Sequence, residues 1–134
     1  MRLFGRLRRS ERGAAAIEFV LIAPVLILFI VGIAQFGILF MANAGLRNAV
    51  AEGARYATIW PRPTDTQIRN RITSSEFGLD AANFSAATIA PGTTGVLNYL
   101  DITATYAVPM DFIFFSAGSV TLTETRRAYV RPAT

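Results

Sequence analysis

The sequence predicts an α+β fold in which a long N-terminal transmembrane helix continues into a stalk and packs against a small antiparallel sheet. Two observations predict it: an uncharged apolar run from Phe19 to Ala42, and alternating strand patterns towards the C-terminus. The composition agrees, since 52% of the 134 residues are hydrophobic and only 16% are charged. Such a balance is unusual for a soluble domain and typical of a chain with a membrane segment.

The apolar run is long enough to cross a bilayer. As a helix it would span about 36 Å, which exceeds a hydrocarbon core of about 30 Å. A buried core helix is the alternative, but the rest of the chain is too short to surround an apolar helix of this length. The signal-peptidase-like sequence Ala42-Asn43-Ala44 offers another alternative, a cleaved signal peptide. The run is much longer than the apolar region of a usual signal peptide, which favours an anchor.

The charges predict the direction of the anchor. Residues 1–12 carry five arginines and one glutamate, whereas residues 13–134 carry eight arginines and eight acids. The positive-inside rule therefore predicts a cytoplasmic N-terminus and an extracytoplasmic C-terminus. A basic tail can also bind nucleic acid, but the adjoining apolar run makes a topology signal the better interpretation.

The junction before the span carries the main functional signal. Glu18 lies at the start of the apolar run, where a carboxylate is costly, although less so near the interface than at mid-span. It could be an interfacial acid close to a helix N-terminus. If the chain were cut between Gly13 and Ala14, however, the new α-amine would need a counter-charge, and Glu18 of a neighbouring subunit could supply it. This pairing would set the axial register between two helices.

This junction resembles a known family. Gly13 followed by Ala-Ala-Ala-Ile-Glu-Phe matches the processing site of tight-adherence (Flp-type) prepilins. The segment NAGLRNAVAEGARYA after the span resembles TadE-like proteins, and the resemblance covers about residues 9–57. It implies a pilin-like fold, cleavage after Gly13 by a prepilin peptidase, and recognition of Glu18 and Phe19 by that enzyme.

The resemblance also implies a function and partners. The chain would be a non-catalytic minor pilin or pseudopilin for assembly of the tight-adherence pilus, a single-pass protein of the bacterial inner membrane. Its expected partners are the membrane bilayer, the prepilin peptidase, other pilin or pseudopilin subunits and the secretion machinery. The alternative function is an uncleaved membrane-tethered scaffold or binding module of the envelope.

Four regions are predicted along the chain. They are a basic leader (1–13), a transmembrane helix (14–42), an extracytoplasmic stalk (43–60) and an α+β head (61–134). The stalk carries small residues at every fourth position, which allow another backbone to approach closely. They are Gly45, Ala49, Gly53 and Ala57. The head's own sheet or a neighbouring helix could fill this face, and we expect the sheet because the helix is leaving the lipid there.

The head should contain one short helix and a sheet. Thr64 or Asp65 is the expected N-cap of a helix that runs to about residue 76 and stops at Gly78. A turn is expected at residues 91–95. Strict alternation at residues 100–108 predicts a half-buried strand. Residues 120–130 predict a second strand, and residues 84–89 could add a third.

Between the last two strands lies an apolar segment in an expected loop, Met110 to Phe115. It could fill the core beneath the sheet. Alternatively it is an exposed interaction patch that meets a partner subunit or the bilayer surface. The residues of that patch would be Phe112, Ile113, Phe114 and Phe115.

The chain has no cysteine, no histidine and no lysine. This excludes disulfides, thiol chemistry, Cys/His metal sites and a P-loop. No Gly-x-Ser-x-Gly nucleophile motif occurs. We therefore expect no catalytic residues, no cofactor, no metal, no nucleic-acid partner and no small-molecule substrate.

Overall fold

The computed structural model describes residues 4–75, 77–112 and 115–131, and the side chains of these from Gly13 onward. The predicted α+β fold is confirmed: a long N-terminal helix carries a small three-stranded antiparallel sheet of order β1-β2-β3. The elements in chain order are α1 (Phe4–Ala57), α2 (Asp65–Ser74), a 3-10 turn (Ala81–Asn83), β1 (Phe84–Thr94), β2 (Leu97–Phe112) and β3 (Phe115–Val130).

Helix α1 is continuous from Phe4 to Ala57 and includes Pro24. A helix of this length is about 80 Å long at 1.5 Å per residue. A proline inside a helix removes one backbone hydrogen bond, a loss that membrane helices commonly tolerate. The C-terminal part of α1, from about Gln35, packs against the rest of the chain. The described residues of the head do not bury the part of α1 before it.

The core lies between this part of α1, α2 and one face of the sheet. Alternate residues of β2 face it, as the alternation predicts, and all five are buried: Leu100, Ile102, Ala104, Tyr106 and Val108. From the helices come Leu46, Ala49, Val50, Ile68 and Ile72, which are also buried. The stalk thus supplies one wall of a core that the head alone is too small to complete.

Helix α2 starts where the sequence predicts. The Thr64 hydroxyl accepts a hydrogen bond from the Gln67 backbone N–H at 3.3 Å, and the Gln67 side-chain oxygen accepts one from the Thr64 N–H at 2.9 Å. This reciprocal pair is a capping box. The helix ends at Ser74, slightly before the predicted end. Gly78 then takes a φ of +70°, which a residue with a side chain rarely adopts.

The third strand is present, but the predicted turn at residues 91–95 is wrong. Strand β1 continues through Thr94, and only Gly95 and Val96 form the turn into β2. Pro91 is tolerated because β1 is an edge strand, where an absent N–H costs no ladder bond. Gly92 leaves room for the Tyr99 ring, which a Cβ atom there would overlap.

The loop expected at residues 110–115 is also largely wrong. Asp111 pairs with Ser116 and Phe112 with Phe115, so β2 and β3 continue almost to their connection. Ile113 and Phe114 lie outside the described residues. The β2–β3 hairpin is therefore longer than predicted and reaches further along α1.

Candidate membrane anchor and assembly site

The first half of α1 presents large apolar side chains to its surroundings. Exposed residues here include Ile17, Phe19, Leu21, Val25, Phe29 and Ile33. Each such side chain gains about 1.5–3 kcal/mol on leaving water. The alternative of a buried core helix does not hold, because the described residues of the head leave this segment uncovered. By length and composition the helix can cross a membrane.

The predicted processing residues lie at the start of this free segment. Gly13, Ala14, Glu18 and Phe19 are all helical and exposed. A Cβ atom placed on Gly13 would meet no other atom within 4 Å. Ala14 and Glu18 are one turn apart on the same helix face, since residues at i and i+4 are neighbours. The fold therefore places Ala14 and the Glu18 carboxylate together at one end of the apolar surface.

The signal-peptidase-like sequence lies in a different environment. Ala42 to Ala44 are within α1, and Ala42 is buried in the core. A cut there would divide the helix beneath the head and remove part of its support. This placement gives a signal peptidase no exposed, irregular chain to act on.

The small residues of the stalk face the chain's own head. A Cβ atom on Gly53 would overlap the Ile72 side chain of α2, and one on Gly45 would overlap the Phe77 carbonyl oxygen. Ala49 and Ala57 are buried. At the two glycines the neighbour is thus α2 and the segment after it, rather than the sheet that we expected. Within the described residues, this face is filled from inside the chain.

Replacing Gly53 by alanine should destabilise the head by about 1–3 kcal/mol, the usual cost of overpacking. The clash with Ile72 should outweigh the helix propensity of about 1 kcal/mol that alanine gains over glycine. Urea unfolding of the full chain in detergent micelles would measure it. Gly37→Ala is the matched control, because a Cβ atom there meets open space. Equal midpoints for both variants would contradict the packing.

An ion-pair cluster joins the stalk to α2. Glu52 accepts hydrogen bonds from Arg55 at 2.7 Å and from Arg71 at 2.6 Å. The Arg55 hydrogen bond, followed by that of Arg71, lowers the pKa of Glu52 from 4.5 to about 2. Since Arg71 belongs to α2, the carboxylate helps to fix α2 on α1.

This cluster makes the head sensitive to acid. The pKa of Glu52 is lowered on folding, so its contribution to stability is complete above about pH 4.5 and is lost as the pH falls towards 2. We expect the urea midpoint of the native chain to fall more steeply across this window than that of Glu52→Gln. Parallel slopes for the two chains would show that Glu52 does not couple protonation to folding.

The end of the β2–β3 hairpin contacts α1 at Gln35, within the segment that the sequence predicts to cross the membrane. Gln35 is buried, and its side-chain nitrogen donates a hydrogen bond to the Asp111 carbonyl oxygen. Phe112 and Phe115 stack with ring centroids 4.9 Å apart, Phe112 half-buried and Phe115 exposed. The other two residues of the predicted patch, Ile113 and Phe114, lie outside the described residues. The structure thus brings part of the patch beside a helix segment that the sequence assigns to the membrane span.

A free apolar helix with a small head fixed to its second half is the architecture of a single-pass membrane protein. The family model described as TadE-like protein matches residues 13–55, which comprise the free helix and most of the stalk. Over these residues the chain is similar to the TadE-like family. No curated protein and no solved structure shows a significant match to it.

Proposed function

We propose that the chain is a non-catalytic minor pilin or pseudopilin, cut after Gly13 by a prepilin peptidase and then assembled through its helix. It would sit in the bacterial inner membrane with the N-terminus in the cytoplasm and the head outside. The observation that carries this proposal is the exposed Ala14–Glu18 face at the start of a free apolar helix. The family match over the same residues supports it.

The chemistry follows from the cost of charge in lipid. Cleavage would create a cationic α-amine on Ala14, and Glu18 carries the opposite charge close to the same depth. An unpaired charge at the edge of the hydrocarbon is costly, although less so than at mid-span, and a close pair with satisfied hydrogen bonds offsets much of that cost. Pairing between the Ala14 amine of one subunit and Glu18 of its neighbour would fix their register. Glu18 and Phe19 would also be the residues that the peptidase recognises.

The packing of the head limits where neighbours can bind. The stalk face at Gly45 and Gly53 is occupied by the chain's own residues, so lateral contacts would use residues 14–34. This segment keeps its large apolar side chains exposed for other pilin or pseudopilin subunits. The head would remain available to the secretion machinery outside the membrane.

Mass spectrometry of the native N-terminus tests the proposal directly. The chain would be isolated from its own cells and from cells that lack the prepilin peptidase. We expect a product that begins at Ala14 in the first and an intact basic leader in the second.

A native product that retains its arginine leader would overturn the processing step and favour an uncleaved, membrane-tethered scaffold. A product that begins after Ala44 would instead indicate a signal peptidase. Each outcome differs in mass by the residues removed, so a single measurement separates them.

A further inference from the structure

We propose that the end of the β2–β3 hairpin dips into the outer face of the bilayer beside α1 and acts as a second membrane contact. The hairpin end is defined here as residues 110–112 and 115–116. The inference rests on the proposed membrane anchoring of α1 but not on processing after Gly13. The hairpin end would contact the lipid bilayer at the boundary between the acyl chains and the headgroups.

The hydrogen bond from Gln35 to the Asp111 carbonyl oxygen fixes the depth of the hairpin end. The helix rises about 24 Å from Phe19 to Gln35 at 1.5 Å per residue. A hydrocarbon core of about 30 Å that begins near Phe19 would end near Leu39. The backbone of Asp111 therefore lies about 6 Å inside that boundary, as judged from the same helical rise.

A second contact gives the direction of the hairpin. The Oε2 atom of Glu124 in β3 lies 3.6 Å from the Nε atom of Arg47 in α1. Glu124 is also the strand partner of Ala104 in β2. Between Arg47 and Gln35 the helix descends about 18 Å. Between Ala104 and Asp111 the strand advances about 23 Å. The similar distances mean that the hairpin runs along α1 towards its N-terminus, so its end points into the membrane region.

The chemistry of the hairpin end suits this position. The sequence from Val108 to Val120 contains one charged residue, Asp111, whose side chain is exposed. Phe112 is half-buried, and Phe115, which stacks on it, is 55% exposed, so the Phe115 ring is largely uncovered by the described residues. Phenylalanine is one of the side chains that transfer favourably from water into the hydrocarbon region. Near that boundary the Asp111 carboxylate remains within reach of the polar region.

The bilayer is favoured over a protein partner by continuity with the anchor. At the level of Gln35, the neighbouring helix residues Ile33, Phe36 and Ile38 are also exposed and apolar. The hairpin end and this helix surface form one apolar region around a segment proposed to lie in lipid. A polypeptide that spans the membrane meets lipid there by default.

Site-directed spin labelling tests the depth, and the absence of native cysteine makes it simple. Single cysteines would replace Ser116 next to the aromatic pair, Val96 in the β1–β2 turn, and Phe29 in the free helix. Val96 is 97% exposed and lies at the opposite end of the sheet, so it is the matched control. The full chain would be reconstituted alone into phosphatidylcholine and phosphatidylglycerol vesicles, and collisions with oxygen and with a water-soluble nickel chelate compared.

We expect the label at residue 116 to favour oxygen over the chelate, as a label in lipid does, and the label at residue 96 to favour the chelate. Phe115→Ser should move the label at residue 116 towards the aqueous pattern without changing the one at residue 96. A label at residue 116 that favours the chelate would overturn the proposal. A label shielded from both reagents would also overturn it and indicate a contact with another copy of the chain.

The label at residue 29 separates this inference from the proposed anchoring. If it favours oxygen while residue 116 favours the chelate, the helix spans the bilayer and the hairpin end stays outside, so only the inference fails. If residue 29 itself favours the chelate, the membrane anchor is wrong and the inference falls with it.

Discussion

Glu18→Ala is expected to leave a chain that inserts into the membrane but is poorly processed and does not support piliation. Alanine removes the carboxylate and keeps the helix, since it is the best helix former. The loss of one charged hydrogen-bond partner costs about 1.5–3 kcal/mol, which corresponds to a roughly 10- to 100-fold slower cleavage. Pulse-chase electrophoresis would measure processing, and electron microscopy would count pili.

Two further variants make this experiment specific. Glu11→Ala removes an acid from the leader, ahead of the Gly13–Ala14 bond, and should be processed and assembled normally. Glu18→Gln keeps the size and polarity of the side chain but not its charge. It should resemble Glu18→Ala if charge neutralisation matters, and the native chain if shape alone matters. Unchanged processing and normal pili for Glu18→Ala would disprove both roles of the carboxylate.

The parts of the fold that could be predicted are those with a local, periodic signal. The uncharged run from Phe19 to Ala42 is enough to define a helix and its apolar character. The alternation at residues 100–108 predicts both the strand and the face that is buried, because successive side chains of a strand point to opposite faces. Thr64 likewise carries its capping signal within a few residues.

The parts that could not be predicted depend on contacts between distant residues. The apolar run at residues 110–115 does not alternate, so it suggests a loop although most of it continues two strands. Gln35 and Asp111 form a hydrogen bond although they are 76 positions apart in the sequence. No local pattern around either residue predicts this contact, although Gln35 is a polar residue within an apolar run.

The packing of the stalk face could likewise be predicted only in part. The regular spacing of Gly45 and Gly53 indicates a close approach but does not name the neighbour. The docking of α2 decides that it is Ile72 and the segment at residue 77. The Glu52–Arg71 ion pair depends on the same docking, and therefore had no signal in the sequence.

Leu46→Ala is expected to destabilise the head by about 2–5 kcal/mol, the usual cost of truncating a buried leucine. Leu46 is 2% exposed and belongs to the core that α1 shares with α2 and the sheet. A small head without this wall has little apolar surface to bury, so the loss is a large part of its stability. Urea unfolding of the full chain in micelles would show it through Trp60, the single tryptophan, at the end of the stalk.

The same substitution elsewhere on α1 provides the control. Leu26 lies in the free segment and is 52% exposed, so Leu26→Ala should leave the unfolding midpoint of the head unchanged. The pair distinguishes the two uses of one helix, since residues beneath the head stabilise its core and those before it face the surroundings. If Leu46→Ala unfolded like Leu26→Ala, the head would fold independently of α1, and the stalk would be a tether rather than a structural wall.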